Sequence, residues 1–292
     1  MSSPYRLLTG ILLLQNSLIC MAAQPDEAAS PATASSLYLA PTEHIYSPYL
    51  ADQRRVTFGL QILSIADSDI PDTGQARFAL RMGGRLELFH WDTGSDPDEA
   101  LQANLEVGFR GHFDIDNSQD NIGWDGNYGL LFSYRSSEAL AWRFGLYHTS
   151  SHVGDEYAER TGRKRISYTR EEFLTGLQFN FTPNWQSYLE AGYGYHQAKK
   201  PLQERYRVQT GLQYQQASFS NYERPGWYAG LDLSAYEERD WSINKALQVG
   251  FAFSAAPHIW RLSLDYYDGQ AVIGEFFQHQ ERYVGLSLYL DV

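Results

Sequence analysis

The chain has 292 residues, with 23 Lys and Arg against 35 Asp and Glu and a formal charge of −12. That balance excludes a general nucleic-acid binder, which needs clustered basic residues to meet phosphates. One Cys excludes a disulfide framework, and no stretch after the first 23 residues approaches the roughly 20 apolar residues of a membrane-spanning helix.

Residues 1–23 read as a secretory signal peptide. Arg6 is the only charge among them, Leu7 to Leu14 is an apolar run, and Ala22 and Ala23 mark the expected cleavage. The single Cys, Cys20, leaves with this segment. Ile19 precedes it where a lipoprotein signal has a small residue, so no lipid anchor is expected. Residues 24–53 are expected as an N-terminal tail and periplasmic lead-in, and 54–292 as the folded domain.

From Arg54 onward, period-two alternation replaces helical periodicity. Phe78, Leu80, Met82, Leu86 and Leu88 oppose Arg77, Arg81, Arg85 and Glu87. Leu105, Val107 and Phe109 oppose Asn104, Glu106 and Arg110. Leu247, Val249, Phe251 and Phe253 oppose Ala246, Gln248 and Gly250. Such segments lie near 54–65, 76–91, 100–112, 127–135, 139–150, 166–181, 185–197, 205–218, 226–237, 242–255, 258–268 and 280–291. They are longer than globular strands, which average about 5 to 6 residues, and match the roughly 9 to 11 of a transmembrane strand. The expected fold is an all-β, antiparallel up-and-down barrel of about twelve strands, with a polar interior and a lipid-facing exterior.

Gly59, Gly83, Gly108, Gly129, Gly145, Gly176, Gly192, Gly194, Gly211, Gly230, Gly250 and Gly285 fall on the polar face, as a narrow filled lumen requires. The aromatic residues are expected mainly on the exterior and in girdles. Residues 113–126 and 151–165 are expected as extracellular loops. Tyr283 to Leu290 resembles the terminal assembly signal of outer-membrane barrels, without the terminal Phe or Trp. It implies the bacterial outer membrane as location and its assembly machinery as a partner.

In the fifth segment Trp142, Phe144 and Leu146 face outward and Gly145 inward. Continued, that phase turns His148 and Ser150 toward lipid, and His152 if the strand persists. An ionisable group facing lipid is a functional hypothesis by default. An imidazole and a hydroxyl two residues apart share a face about 6.5 Å apart, and that pair is the core of nucleophilic ester hydrolysis. Ser150 is the candidate nucleophile and His148 the base. Glu171, on the outward phase of the next strand, is the candidate orienting group, with Thr169, Asp155 and Glu156 as alternatives. Ser151, His152, Arg163 and Lys164 are candidate lipid contacts, the last two in the basic run 161–165. No cofactor is required. Asp155 and Glu156 are the oxygen ligands a Ca²⁺ ion would take.

The run Tyr147-His148-Thr149-Ser150-Ser151-His152-Val153-Gly154-Asp155-Glu156-Tyr157 resembles the bacterial domain-of-unknown-function family twelve-oh-seven, as do 166–172 and 45–52. That family supplies no activity. A fainter resemblance is to outer-membrane phospholipase A and the lipid A deacylases, barrels with a His-x-Ser site on the lipid-facing wall. It implies acyl-ester hydrolysis on membrane lipids at the outer leaflet. Ser151 and His152 depart from it, since those enzymes continue with Asn and often Gly. The competing expectations are a non-enzymatic structural or lipid-binding barrel and, third, a small-solute channel.

Overall fold

The computed structural model describes residues 35–41, 44–94, 98–198, 202–216, 225–255 and 258–291, within the compact unit Thr33–Val292. The expected signal peptide lies outside the described residues. Thirteen strands and one helix follow in chain order: β1 Ser36–Leu39, β2 Phe58–Ser68, β3 Ala76–Asp92, β4 Ala100–Asp114, β5 Asp120–Ser137, β6 Leu140–Val153, α1 Asp155–Thr161, β7 Thr169–Asn180, β8 Trp185–Gln197, β9 Tyr206–Gln215, β10 Gly226–Tyr236, β11 Ile243–Ala255, β12 His258–Gln270 and β13 Gln280–Asp291. No described helix is long and apolar enough to cross a membrane.

Strands β2 to β13 pair antiparallel, each with its sequence neighbour, and β13 pairs with β2 to close a twelve-stranded barrel. Closure gives each of these strands a neighbour on both sides, as a sheet in lipid requires. β2 covers β3 only at residues 76–81. β1 pairs with the far end of β3 at 89–92.

The two faces follow the sequence pattern. Met82, Leu86, Val107, Trp142, Phe144, Leu146, Val249 and Phe251 are exposed on the outer wall. Arg77, Arg81, Asn104, Arg110, Gln209 and Gln248 are buried in the lumen. All Trp residues fall outside the buried class, but Tyr divides. Tyr188, Tyr228, Tyr267, Tyr283 and Tyr289 are buried inward, contrary to a mainly exterior placement. For two of them the phenol is satisfied: Tyr188 donates to Asp232 Oδ2 at 2.6 Å and Tyr289 to Asp265 Oδ2 at 3.1 Å. A buried ring with a satisfied hydroxyl fills a polar lumen as well as a girdle.

The expected loop 113–126 is also revised. β4 and β5 continue to 114 and 120, joined by a short turn with Ser118 and Gln119 at positive φ. Gly111, Asp120 and Gly126 interrupt the alternation there while the ladder persists.

Residues 44–57, read from sequence mostly as lead-in, occupy the lumen. Tyr46, Tyr49, Leu50, Ala51 and Gln53 are buried there. The backbone N–H groups of Ile45, Ser47 and Leu50 donate to the side chains of Gln102, Gln178 and Gln213 on three different strands. Tyr49 stacks on Tyr188 with ring centroids 3.7 Å apart. The lumen glycines receive this segment: an added Cβ at Gly176 would lie 2.6 Å from Tyr46 Oη, and at Gly230 3.2 Å from Ala51 Cβ. Arg54 then reaches the opposite end, donating to the carbonyls of Ala271 and Val272. The connection 271–277 folds into the extracellular mouth, with Ala271 to Phe277 all buried.

The segment and the loop obstruct the interior from its two ends. In planar bilayers the full chain is expected to carry little ion current. A variant lacking residues 44–53 is expected to carry several-fold more per inserted molecule. Equal currents would show that the segment does not close the lumen.

Candidate active site

Strand β6 sets the site. Its outward residues are Trp142, Phe144, Leu146, His148, Ser150 and His152, and its inward ones include Arg143, Tyr147 and Ser151. Three aromatic or apolar outward residues fix the phase, and alternation carries it to the extracellular end.

Register decides which neighbours meet. His148 lies opposite Glu171 on β7, and Ser150 opposite Thr169. On the other side His148 lies opposite Tyr128 and Ser150 opposite Gly126. His148 Nδ1 is 2.6 Å from Glu171 Oε1. Its ring stacks on Tyr128 with centroids 4.2 Å apart and planes 18° from parallel. The imidazole is thus held at one nitrogen and one face. Both partners are partly shielded, with side chains 13% and 26% exposed. With Nδ1 facing a carboxylate, that nitrogen carries the proton and Nε2 is the basic one. Thr169 pairs with the serine, not with the imidazole. Among the described contacts, no hydrogen bond joins Ser150 Oγ to His148.

The remaining candidates separate. His152 continues the outer face, stacks on Trp124 at 4.1 Å, and has Arg165 Nη2 at 3.4 Å from Nε2. Lys164 is exposed. Ser151, expected to contact lipid, points inward and is fully buried. Arg163, also expected there, donates to the Glu275 carbonyl at 3.0 Å and lies over the Phe276 ring at 4.3 Å. Asp155 and Glu156 are exposed in the first turn of α1. Among the described residues no group of three or more His, Cys, Asp or Glu side chains is placed to hold a metal ion. Two exposed carboxylates in one helical turn do not make the six or more oxygen contacts that Ca²⁺ takes, so the pair does not fit that ion.

Glu275 had no signal in the sequence. It is fully buried in the mouth loop. Its carboxylate accepts the N–H groups of Ile166 and, at 3.3 Å, Tyr168, and its own N–H donates to Ser151 Oγ at 2.7 Å. Ser151 N donates to the Tyr168 carbonyl at 2.9 Å. Burial pushes the Tyr168 hydroxyl well above its ordinary value, and the Glu238 charge adds to this. The clamp therefore binds the loop, the end of β6 and the segment carrying Arg165. Gly126 was also missed as a site residue. Gly126 stands on the outward face of β5 with Trp124, Tyr128, Leu130 and Phe132, and Arg165 closes the basic run.

Glu275→Ala is expected to free residues 162–168. Tryptic cleavage after Lys164 or Arg165 should rise roughly tenfold, the change given by about 1.4 kcal/mol of lost local stability. Glu275→Gln keeps one acceptor and should raise it less. Unchanged cleavage in both would remove the clamp.

The architecture is shared with known barrels. Outer membrane phospholipase A from Escherichia coli superposes with a TM-score of 0.53 at 14% identity, covering 86% of this chain and 95% of that one. The Salmonella typhi outer membrane phospholipase dimer with bound calcium gives 0.54 at 14% identity, covering 80% and 90%. LpxR from Salmonella typhimurium gives 0.41 at 10% identity, covering 81% and 100%. At 14% identity the likeness to the two phospholipases is one of fold, that of an outer-membrane β-barrel. No curated protein sequence matches the chain significantly. A family model matches residues 21–291, and the chain belongs to that family, described as protein of unknown function (DUF1207).

Proposed function

We propose that this barrel hydrolyses an acyl ester of a membrane lipid on its outer wall. The observation that carries the reading is the His148 Nδ1 to Glu171 Oε1 contact of 2.6 Å on a face otherwise built for lipid. A stacked, carboxylate-bound imidazole two residues from an outward serine has the parts of a nucleophilic hydrolase. Stability does not ask for it, since Leu or Phe would serve the same wall positions better.

Ser150 Oγ attacks the ester carbonyl and His148 Nε2 takes its proton. Glu171 stays ionised, keeps the proton on Nδ1 and stabilises the imidazolium. Collapse of the tetrahedral adduct expels the lipid alcohol, which leaves with the proton from His148. Water, deprotonated by the same nitrogen, then cleaves the acyl-Ser150 ester and frees a fatty acid. The pair must close to hydrogen-bond distance as substrate binds, a tightening common on going from a free site to its complex. His152, Lys164 and Arg165 at the rim supply donors for a lipid phosphate. The likeness in fold to the outer membrane phospholipases supports a lipid substrate. The obstruction of the lumen by residues 44–57 and 271–277 supports chemistry on the wall over transport through the interior.

Fatty-acid release from mixed lipid–detergent micelles tests this. Ser150→Ala is expected to abolish release while the unheated protein still runs as a folded barrel on a gel. Glu171→Gln should lower the rate by roughly 10²–10⁴-fold, the range for a positioned acid–base group. Undiminished release by folded Ser150→Ala would sink the assignment. Tight lipid retention with no release from the wild type would favour the lipid-binding barrel.

A further inference from the structure

Gly126 is an outward-facing strand glycine, as are Gly84 and Gly111, and unlike Gly111, whose Cβ would press on the Phe109 and Phe113 rings, it is not crowded. At the twelve lumen-facing glycines, an added Cβ would come within 3.2 Å of another atom, so the missing side chain makes room for packing. Gly126 instead shares the outward phase of β5 with Trp124 and exposed Tyr128. A Cβ there would meet only Ser150 Oγ at 3.4 Å and Trp124 Cζ3 at 3.8 Å, which is ordinary contact. No packing demand excludes a side chain at this position.

The opening has fixed walls. Trp124 is held by its stack on His152 at 4.1 Å and by Phe109 at 5.6 Å. Tyr128 is held by its stack on His148 at 4.2 Å. Two immobilised aromatic residues four positions apart, about 13 Å along the strand, thus flank a backbone floor. The floor lies opposite Ser150 in register, one strand spacing of about 4.8 Å away. Phe109, opposite Gly126 on β4, closes the far end.

We infer that Gly126 is the floor of an acyl-chain slot, bounded by Trp124 and Tyr128, that holds the first methylenes beside the carbonyl attacked by Ser150. The inference rests on the proposed hydrolysis and adds the part of the substrate that the site selects. The ligand class is an unbranched acyl chain. Flat ring faces and a bare backbone match a chain of methylenes, and no charged side chain lies between the two rings on β5. Gly126 acts as a specificity-determining residue, because any larger side chain fills the space where the chain must lie.

Turnover of p-nitrophenyl palmitate relative to p-nitrophenyl acetate tests the slot. The palmitate-to-acetate ratio is expected to fall least in Gly126→Ala and at least tenfold in Gly126→Val, within the roughly 10–200-fold that a misplaced methylene is worth in an apolar site. Equal loss on both esters, or none, would overturn the slot while leaving hydrolysis standing. Should the wild type cleave neither ester, the hydrolase reading fails and the slot is judged by labelling. A phosphatidylcholine with a diazirine near its acyl carbonyl is expected to mark Trp124 and Tyr128 more than the exposed outer-wall Trp142, an excess that Gly126→Val abolishes. Equal labelling of the three residues would overturn the slot.

Discussion

A closed sheet in lipid has an inside that must satisfy its own charges. In this barrel the lumen charges pair within a strand, between neighbouring strands and across to non-adjacent ones. Arg143 binds Glu190, Arg207 bridges Glu190 and Glu172 at 2.8 Å each, and Arg170 binds Glu172 at 2.9 Å. Arg110 binds Asp125 at 2.7 Å, and Arg77 binds Glu281. Removing one member of such a pair leaves a buried charge, a loss of about 3–5 kcal/mol. Arg143–Glu190, Arg207–Glu172 and Arg77–Glu281 therefore tie β6 to β8, β7 to β9 and β3 to β13, beyond the ladders of neighbouring strands. It also shapes the space that residues 44–57 fill, since Tyr49 completes it by donating to Glu190 at 3.1 Å.

The same constraint made the fold legible. Interior and exterior alternate residue by residue, so Arg77, Arg81 and Arg110 could be assigned inward from their apolar neighbours. What escaped detection lacked that periodicity. Residues 44–57 form no regular strand, and their contacts run through backbone N–H groups to distant glutamines, such as Leu50 to Gln213. The inward tyrosines escaped because a phenol suits a wet interface and a polar lumen alike. The 120–126 part of β5 escaped because Asp120, Gly123 and Gly126 interrupt the apolar alternation.

The site was legible to the same depth. The outward phase of His148 followed from Gly145 and three outward apolar neighbours. Its partner did not, because strand phase leaves register free. Glu171 and Thr169 share one face of β7, and only the hydrogen-bond ladder sets the first against the imidazole and the second against the serine. Glu275 lies 124 residues from Ser151, and no local pattern announces a contact of that separation.

Ser150 and Ser151 show how the two faces cooperate. Adjacent residues of one strand point to opposite sides. Ser151 is locked inward between the Glu275 N–H and the Trp124 carbonyl, while Ser150 stands outward beside Gly126. Rotation of the strand end would break the inner clamp before it displaced the outer hydroxyl. The mouth loop that supplies the clamp is itself held from below, where Arg54 binds the Ala271 and Val272 carbonyls. A hydroxyl on a mobile strand end would sample many orientations, and reaction with an ester demands few. The contacts in the lumen mouth thus restrain the wall. Interior packing that an open pore would lack restrains the end of β6 and fixes where Ser150 points.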